Sequence, residues 1–401
     1  TLFANTDGGI YKSLDNGHSW SDLSAGISVM QFYDFSVFNN SFIGGTQDNG
    51  CNEGSIGNTQ FHNISGGDGF DAIWHTGDHS IKFLSDQNSI IRRQFGSNLF
   101  IFEDPEAFWF TKLSCHNNDP GILFATKSKN QLIRGNQTYS GAFPWDWSWY
   151  STGTQSLLVE QILSYAQAYD NANIMYVVNG TKIIKTLDVY AVPAPWTELD
   201  KPNPDLLITD VVVDPNNSNR VWISCGGFAN GQKIFKSENG GTTWTNISGS
   251  LPNIPIRCMK YGPPGSDIIY IGTEIGVFFK NATMTDWIFF SNNLPNNIVT
   301  DIEISGNYVY VSTFGRGIWR STIYESCPYD LSLTQANDPA TTYFNGKQVH
   351  NASNNITNSR VLNGSLGVDA TYIAGNAIDF VEGFWAKTNS IVLAKNEGCP
   401  D

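Results

Sequence analysis

Short apolar runs rich in β-branched residues, broken every few positions by Gly, Asn or Asp, mark most of the chain. Ile208-Thr-Asp-Val-Val-Val-Asp214 and Val299-Thr-Asp-Ile-Glu-Ile304 are examples. Their length and β-branching predict strands, and their apolar character suits the innermost strand of a sheet. Aromatic landmarks recur over these runs with a period just under fifty residues. Trp149, Trp196, Trp244 and Trp287 each open the last strand of a unit. Tyr176, Trp222, Tyr270 and Tyr310 each sit inside a second strand. Two independent landmarks keep one step, and a period in this range signals a solenoid or a propeller.

Read as four strands apiece, the units fall at about 29–65, 66–105, 106–152, 156–200, 205–250 and 253–291. Residues 1–25 supply three strands without a first, and 298–322 supply three without a last. If these partial units join, the count is seven; if each stands alone, it is eight. The expected fold is therefore all-β, a seven- or eight-bladed β-propeller with four-stranded blades over 1–323. Closing the ring hides the two edges that an open one would expose. The surplus strands at the start predict further sequence upstream. Between 40 and 130 the second-strand aromatic pattern fades and Asn-Gly, Gly-Gly and Asp-Gly turns take over. From Cys327 the repeat stops, and 326–401 reads as a small β module of short apolar pairs separated by Gly or Asn turns.

Two near-copies of one turn punctuate the repeat: Ser13-Leu-Asp15-Asn-Gly17-His-Ser-Trp20 and Ser237-Glu-Asn239-Gly-Gly241-Thr-Thr-Trp244. In each, a Ser and an Asp or Asn can bond local backbone, Gly supplies positive φ, and the Trp enters the next strand. The turn resembles the Asp-box of BNR-type β-propellers, the superfamily that includes sialidases, family-74 xyloglucanases and sortilin-like receptors. That likeness implies the fold and says little of activity. The stretch Ala370–Ala394 looks like the C-terminal stacked-coil module of secreted Bacteroidetes proteins, which implies export through the type IX system.

Charge narrows the partners. With 23 basic and 37 acidic residues the net charge is -14, which argues against nucleic acid and anionic membrane. No apolar run approaches the roughly 20 residues of a bilayer span. The six cysteines, Cys51, Cys115, Cys225, Cys258, Cys327 and Cys399, lack the short spacings of zinc or redox motifs. An even count predicts disulfides and an oxidising compartment, with Cys225 to Cys258, Cys327 to Cys399 and Cys51 to Cys115 as the pairing; unpaired core thiols are the alternative.

Candidate chemistry concentrates in Gly44-Gly-Thr-Gln-Asp48-Asn49-Gly50 and Gly66-Gly-Asp68-Gly-Phe-Asp71. Glycine lets backbone approach a ligand, and Asp48, Asn49, Asp68 and Asp71 could hold sugar hydroxyls or a cation at a channel mouth, although Ca²⁺ would want more oxygen ligands than either segment offers. The competing reading is a pair of tight strand connections. Arg316, between two glycines, could offer a donor fork to a carboxylate in the channel or pair with Asp301. Glycoside hydrolysis needs two carboxylates across a cleft. Asp7 lies in a segment similar to one carrying an acidic residue in family-74 enzymes, but no second carboxylate can be placed from sequence. His75 and His79 read as loop histidines rather than metal ligands, and no cofactor is expected. The functional expectation is a secreted or cell-surface, non-catalytic module that contacts a glycan or protein. A polysaccharide hydrolase and an extracellular assembly subunit, packing against itself or a larger surface complex, are the competing classes.

Overall fold

The apolar runs form antiparallel sheets in which strands adjacent in sequence pair. The computed structural model describes residues 1–6, 9–23, 30–55, 57, 61–87, 90–95, 97–102, 110–116, 118–127, 130–140, 143–291 and 294–324, together with the strands named below for the second unit. The chain divides into two compact units, Thr1–Ile323 and Tyr324–Asp401.

The first unit opens with a three-stranded sheet of β1 (Leu2–Thr6), β2 (Gly9–Ser13) and β3 (Ser21–Asp22). Six four-stranded sheets follow. They are β4 (Phe32–Phe38), β5 (Ser41–Thr46), β6 (Gly50–Ser55) and β7 (His62–Ser65); then β8 (Gly69–Trp74), β9 (Lys82–Asp86), β10 (Ile90–Phe95) and β11 (Ser97–Phe102). Next come β12 (Leu113–Cys115), β13 (Ile122–Lys127), β14 (Gln131–Ser140) and β15 (Phe143–Ser151), then β16 (Ser164–Gln167), β17 (Met175–Val178), β18 (Ile183–Thr186) and β19 (Trp196–Leu199). The last two are β20 (Ile208–Asp214), β21 (Asn217–Cys225), β22 (Ile234–Ser237) and β23 (Thr245–Asn246), and β24 (Ile256–Tyr261), β25 (Ile269–Thr273), β26 (Val277–Lys280) and β27 (Ile288–Phe289). A three-stranded sheet of β28 (Val299–Ser305), β29 (Tyr308–Thr313) and β30 (Gly317–Thr322) completes the unit. Each four-stranded sheet falls inside one of the units read from the aromatic landmarks. The two three-stranded sheets remain separate ladders among the described residues.

First strands of neighbouring sheets lie side by side: β4 packs on β8, β8 on β12, β16 on β20, β20 on β24, β24 on β28, and β28 on β4. The core fills the spaces between sheets. Ile174, Tyr176, Val178 and Ile183 of one sheet, for example, share a cluster with Ile208, Val211, Val221 and Ile223 of the next. The landmarks work across these same spaces. Trp149, Trp196, Trp244 and Trp287 each donate the indole N–H back to a carbonyl of the preceding repeat, on Ile101, Thr152, Asp200 and Ile247 respectively. Tyr176 reaches forward, its hydroxyl donating to the Ser218 carbonyl at 2.9 Å. The period is thus kept because the same bond between sheets is made each time, each contributing about 1 kcal/mol.

The expected disulfides of this unit are not formed. Cys51, Cys115, Cys225 and Cys258 are free thiols. Cys51 packs with Ile43, Ile64, Ala72 and Leu84, and Cys225 with Ile208, Val211 and Ile223, so each serves as a small core residue at its own junction. Burial pushes the Cys115 and Cys225 thiols up to about 12 and raises Cys51 and Cys258 as well. Cys327 and Cys399 lie outside the described residues.

The second unit pairs its strands in parallel. β31 (Asp330–Leu333), β33 (Asn355–Asn358) and β36 (Ala377–Phe380) form one ladder; β32 (Gly346–Ala352), β35 (Val368–Ala374) and β38 (Ile391–Lys395) form another. A third pairs β34 (Val361–Leu362) with β37 (Trp385–Ala386). Strands of different ladders alternate along the chain, the order produced by stacking successive coils, and Ile356 and Tyr372 are buried.

Candidate functional site

The two turn copies share one hydrogen-bond scheme. The Ser13 hydroxyl donates to Asp15 Oδ1 at 2.8 Å and accepts from the Gly17 N–H at 2.8 Å, while Asp15 Oδ1 accepts from the Ser19 N–H at 2.9 Å. Ser237, Asn239, Gly241 and Thr243 repeat this at 3.0, 2.8 and 2.9 Å. The Ser19 and Ser13 bonds pull the Asp15 carboxyl down to about 2. Gly17 and Gly241 have φ of +95° and +88°, and their Trp rings, Trp20 and Trp244, lie over them. These side chains are engaged in holding the turn.

The two glycine-rich motifs meet each other. A Cβ on Gly45 would lie 2.4 Å from the Phe70 carbonyl oxygen, one on Gly69 2.5 Å from the Gly50 carbonyl carbon, and one on Gly50, at φ +64°, 1.7 Å from the Ser65 oxygen. The Gly50 N–H donates to the Gly67 carbonyl at 2.7 Å, and the Asp48 N–H to Asp68 Oδ1 at 2.6 Å. Asn49 supplies its carbonyl to the amides of Asn52 and Asn63. Glycine here lets one backbone lie on another. Arg316 is exposed in the β29–β30 turn, where its N–H donates to Thr313 Oγ1 and its carbonyl accepts from the Trp319 indole. Asp7 lies outside the described residues. His75 Nδ1 accepts the N–H groups of Gly77 and Asp78, and His79 stacks on Phe38 at 3.6 Å.

Asp71 belongs elsewhere, with residues that sequence reasoning did not group. It is the third residue of β8, as Asp34, Asp210 and Asp301 are the third residues of β4, β20 and β28. In all four strands the ladder slips at this point. Such a bulge re-aims the side chain, and the four carboxylates face one cavity of about 660 Å³ with Glu303, Lys112 and Lys260. The repeated signal, an Asp followed by an apolar residue at the third place of an inner strand, was present in Ile208–Asp214 and Val299–Ile304.

Much of this charge fastens sheet to sheet. Asp210 accepts the Ser164 hydroxyl at 2.5 Å, the Val211 N–H at 2.8 Å and, from the next sheet, the Met259 N–H at 2.6 Å. Asp71 Oδ2 accepts the Leu113 N–H of the next sheet at 2.7 Å. Lys112 Nζ lies 3.6 Å from Asp34, and Lys260 bonds Glu303 at 2.7 Å. Burial works against the Lys112 charge, yet Asp34, Asp210, Asp301 and Asp71 together hold its ammonium well above the usual range. Burial, reinforced by Asp34, raises the carboxyls of Asp71 and Asp301.

A second concavity, a groove of about 550 Å³, is built from the entries to β16, β20 and β24 and from the turns after β17, β21 and β25. The central cavity instead takes residues from the middle and exit of the inner strands, such as Trp74, Pro215 and Pro263. In the groove Phe228, Leu207 and Leu163 are 69%, 55% and 39% exposed. Glu160 and Glu274 line it too; Glu160 accepts the Thr181 hydroxyl at 3.3 Å and Glu274 pairs with Arg257 at 2.6 Å.

Comparison with solved structures finds this fold in known proteins. The chain is similar to a GH74 enzyme of Niastella koreensis, at 16% identity and a TM-score of 0.55 over 77% of this chain and 46% of that one. It is also similar to an extracellular domain from B. thetaiotaomicron, at 16% identity and a TM-score of 0.52 over 81% and 40%. The chain thus spans less than half the length of either protein. No family model matches it, and no curated protein matches it in sequence.

Proposed function

We propose that this is a secreted or cell-surface recognition module, a BNR-type propeller whose seven first strands ring one axis and whose entry-side groove contacts a glycan. The observation that carries the reading is the groove itself. It leaves the Phe228 ring open to solvent, beside the Leu207 and Leu163 side chains and near Glu160, Arg257 and Glu274. An exposed ring against polar groups suits a sugar, which stacks its apolar face and hydrogen-bonds its hydroxyls. The likeness to a GH74 enzyme and to an extracellular domain supports a glycan-facing, extracellular setting. Asp48, Asn49 and Asp68 are assigned to the junction between two sheets, not to the ligand.

Binding to a polysaccharide panel by wild type, Phe228→Ala, Asp48→Asn and Asp68→Asn tests this. Loss of at least tenfold in affinity for Phe228→Ala alone is expected. Equal binding by wild type and Phe228→Ala would end the assignment of the groove. One observation favours a second reading, hydrolysis: Glu160 and Glu274 face the same groove, and two carboxylates across a cleft are what that chemistry requires. Release of reducing ends by wild type, abolished in Glu160→Gln, would replace recognition by catalysis.

A further inference from the structure

The central cavity holds more negative charge than its own cations answer. Five carboxylates, Asp34, Asp71, Asp210, Asp301 and Glu303, face two ammonium groups, Lys112 and Lys260, a formal excess of three. Asp210 is saturated by three donors, and Glu303 has Lys260. Asp34 has Lys112 and the Phe35 N–H. Asp71 is different: the residue is 2% exposed, and while Oδ2 accepts from Leu113, Oδ1 is buried without a hydrogen-bond partner. Asp301 Oδ2 is likewise buried and unpartnered. Acceptors left in this state are costly, and native proteins fill them with a donor.

We propose that the cavity binds an aliphatic primary ammonium ion, its head donating to Asp71 Oδ1 and Asp301 Oδ2 and its alkyl chain running toward the exit of the inner strands. The walls on that path carry apolar surface from Trp74, Val213, Met259, Pro263 and Ile304, between the polar groups of Gln167, Tyr261 and Glu303. An ammonium has three donors, enough for carboxylates held on separate strands, and its stem can cover apolar wall. A bare metal ion does not suit the site, since no three His, Cys, Asp or Glu side chains among the described residues gather closely enough to hold one.

Calorimetry and thermal melting of the whole chain with cadaverine test this, at fixed ionic strength. The neutral isostere 1,5-pentanediol and ammonium chloride serve as controls, and Asp71→Asn and Asp301→Asn as variants. Saturable cadaverine binding is expected, with a melting shift that neither control produces and an affinity at least tenfold weaker in each variant. A lysine-containing peptide that binds more tightly than cadaverine would identify a protein side chain as the source of the same ammonium. No saturable binding by wild type, or an equal melting shift from the diol, would overturn the proposal. So would undiminished affinity in both variants; if neither variant folds, the comparison of cadaverine with the diol on wild type decides.

Discussion

The two ends of the set of inner strands treat polarity in opposite ways. Within the strands, from their middle toward their exit, carboxylates and ammonium groups are drawn into a cavity and bonded to one another and to the backbone of the next sheet. At the entry side, an aromatic ring and two leucines are left in water beside glutamates. Buried charge is tolerated only where donors compensate it, so most of the cavity is explained by architecture. Exposed apolar surface contributes little to folding, so packing does not account for the groove, and the proposed ligand is what would cover it. A conspicuous cluster of aspartates is therefore the weaker pointer to a ligand, except at the two oxygens that no donor satisfies.

The largest effect that would sharpen this contrast lies at the entry side, in the glycine motifs that look most like a binding loop. Gly50→Ala places a Cβ 1.7 Å from the Ser65 oxygen in a left-handed backbone. It should cost about 3 kcal/mol or more, read as a lower denaturant midpoint. A stable Gly50→Ala protein would return that motif to the ligand. Next, Asp210→Ala strands the Met259 and Val211 N–H groups and the Ser164 hydroxyl in the central cavity. It should cost about 2–3 kcal/mol, and an unchanged midpoint would mean that the cavity does not fasten the sheets.

Asp71→Asn goes the other way. The amide retains an acceptor for the Leu113 N–H and removes a charge whose burial, with Asp34 beside it, raises the carboxyl above its ordinary range, against Lys112 and the Leu113 and Ala72 N–H groups. A raised folded value means that wild type has its full stability below the ordinary carboxylate range and loses part as pH rises through the raised value. The variant should therefore gain on the order of 1 kcal/mol at neutral pH, with the gain vanishing at acid pH. A gain independent of pH would show that ionisation is not its cause.

What could be read in advance follows the same division. Strands, their grouping in fours and the step of the repeat were legible because indoles at fixed places make the same bond between sheets each time. The Asp at the third place of the inner strands was visible in the very runs used to find them. Its meaning was not, because a bulge decides which way that side chain turns and a pattern of alternation cannot show a bulge. The cysteine count misled because evenness says nothing of direction; Cys51 and Cys225 each enter a different sheet junction. The Trp244 ring does not lie deep in the core. It is only partly buried, and its value lies in one bond to the Asp200 carbonyl and contact with the neighbouring cluster. The groove was missed because Glu160, Phe228 and Glu274 come from three repeats and form no motif in any one of them.

The smallest expected change in stability tests the other half of the contrast. Phe228 is 69% exposed in the turn after β21, so Phe228→Ala removes little buried area and should move the unfolding free energy by no more than about 0.5 kcal/mol. The same substitution is expected to weaken glycan binding at least tenfold, whereas Asp210→Ala, if enough of it folds, should bind the glycan as wild type does. The pair separates the two ends: one side chain that the fold can spare and the ligand cannot, and one that the fold needs and the ligand never meets. If Phe228→Ala instead unfolds the protein, the ring is part of the core in solution, and the apolar surface assigned to a partner belongs to the fold.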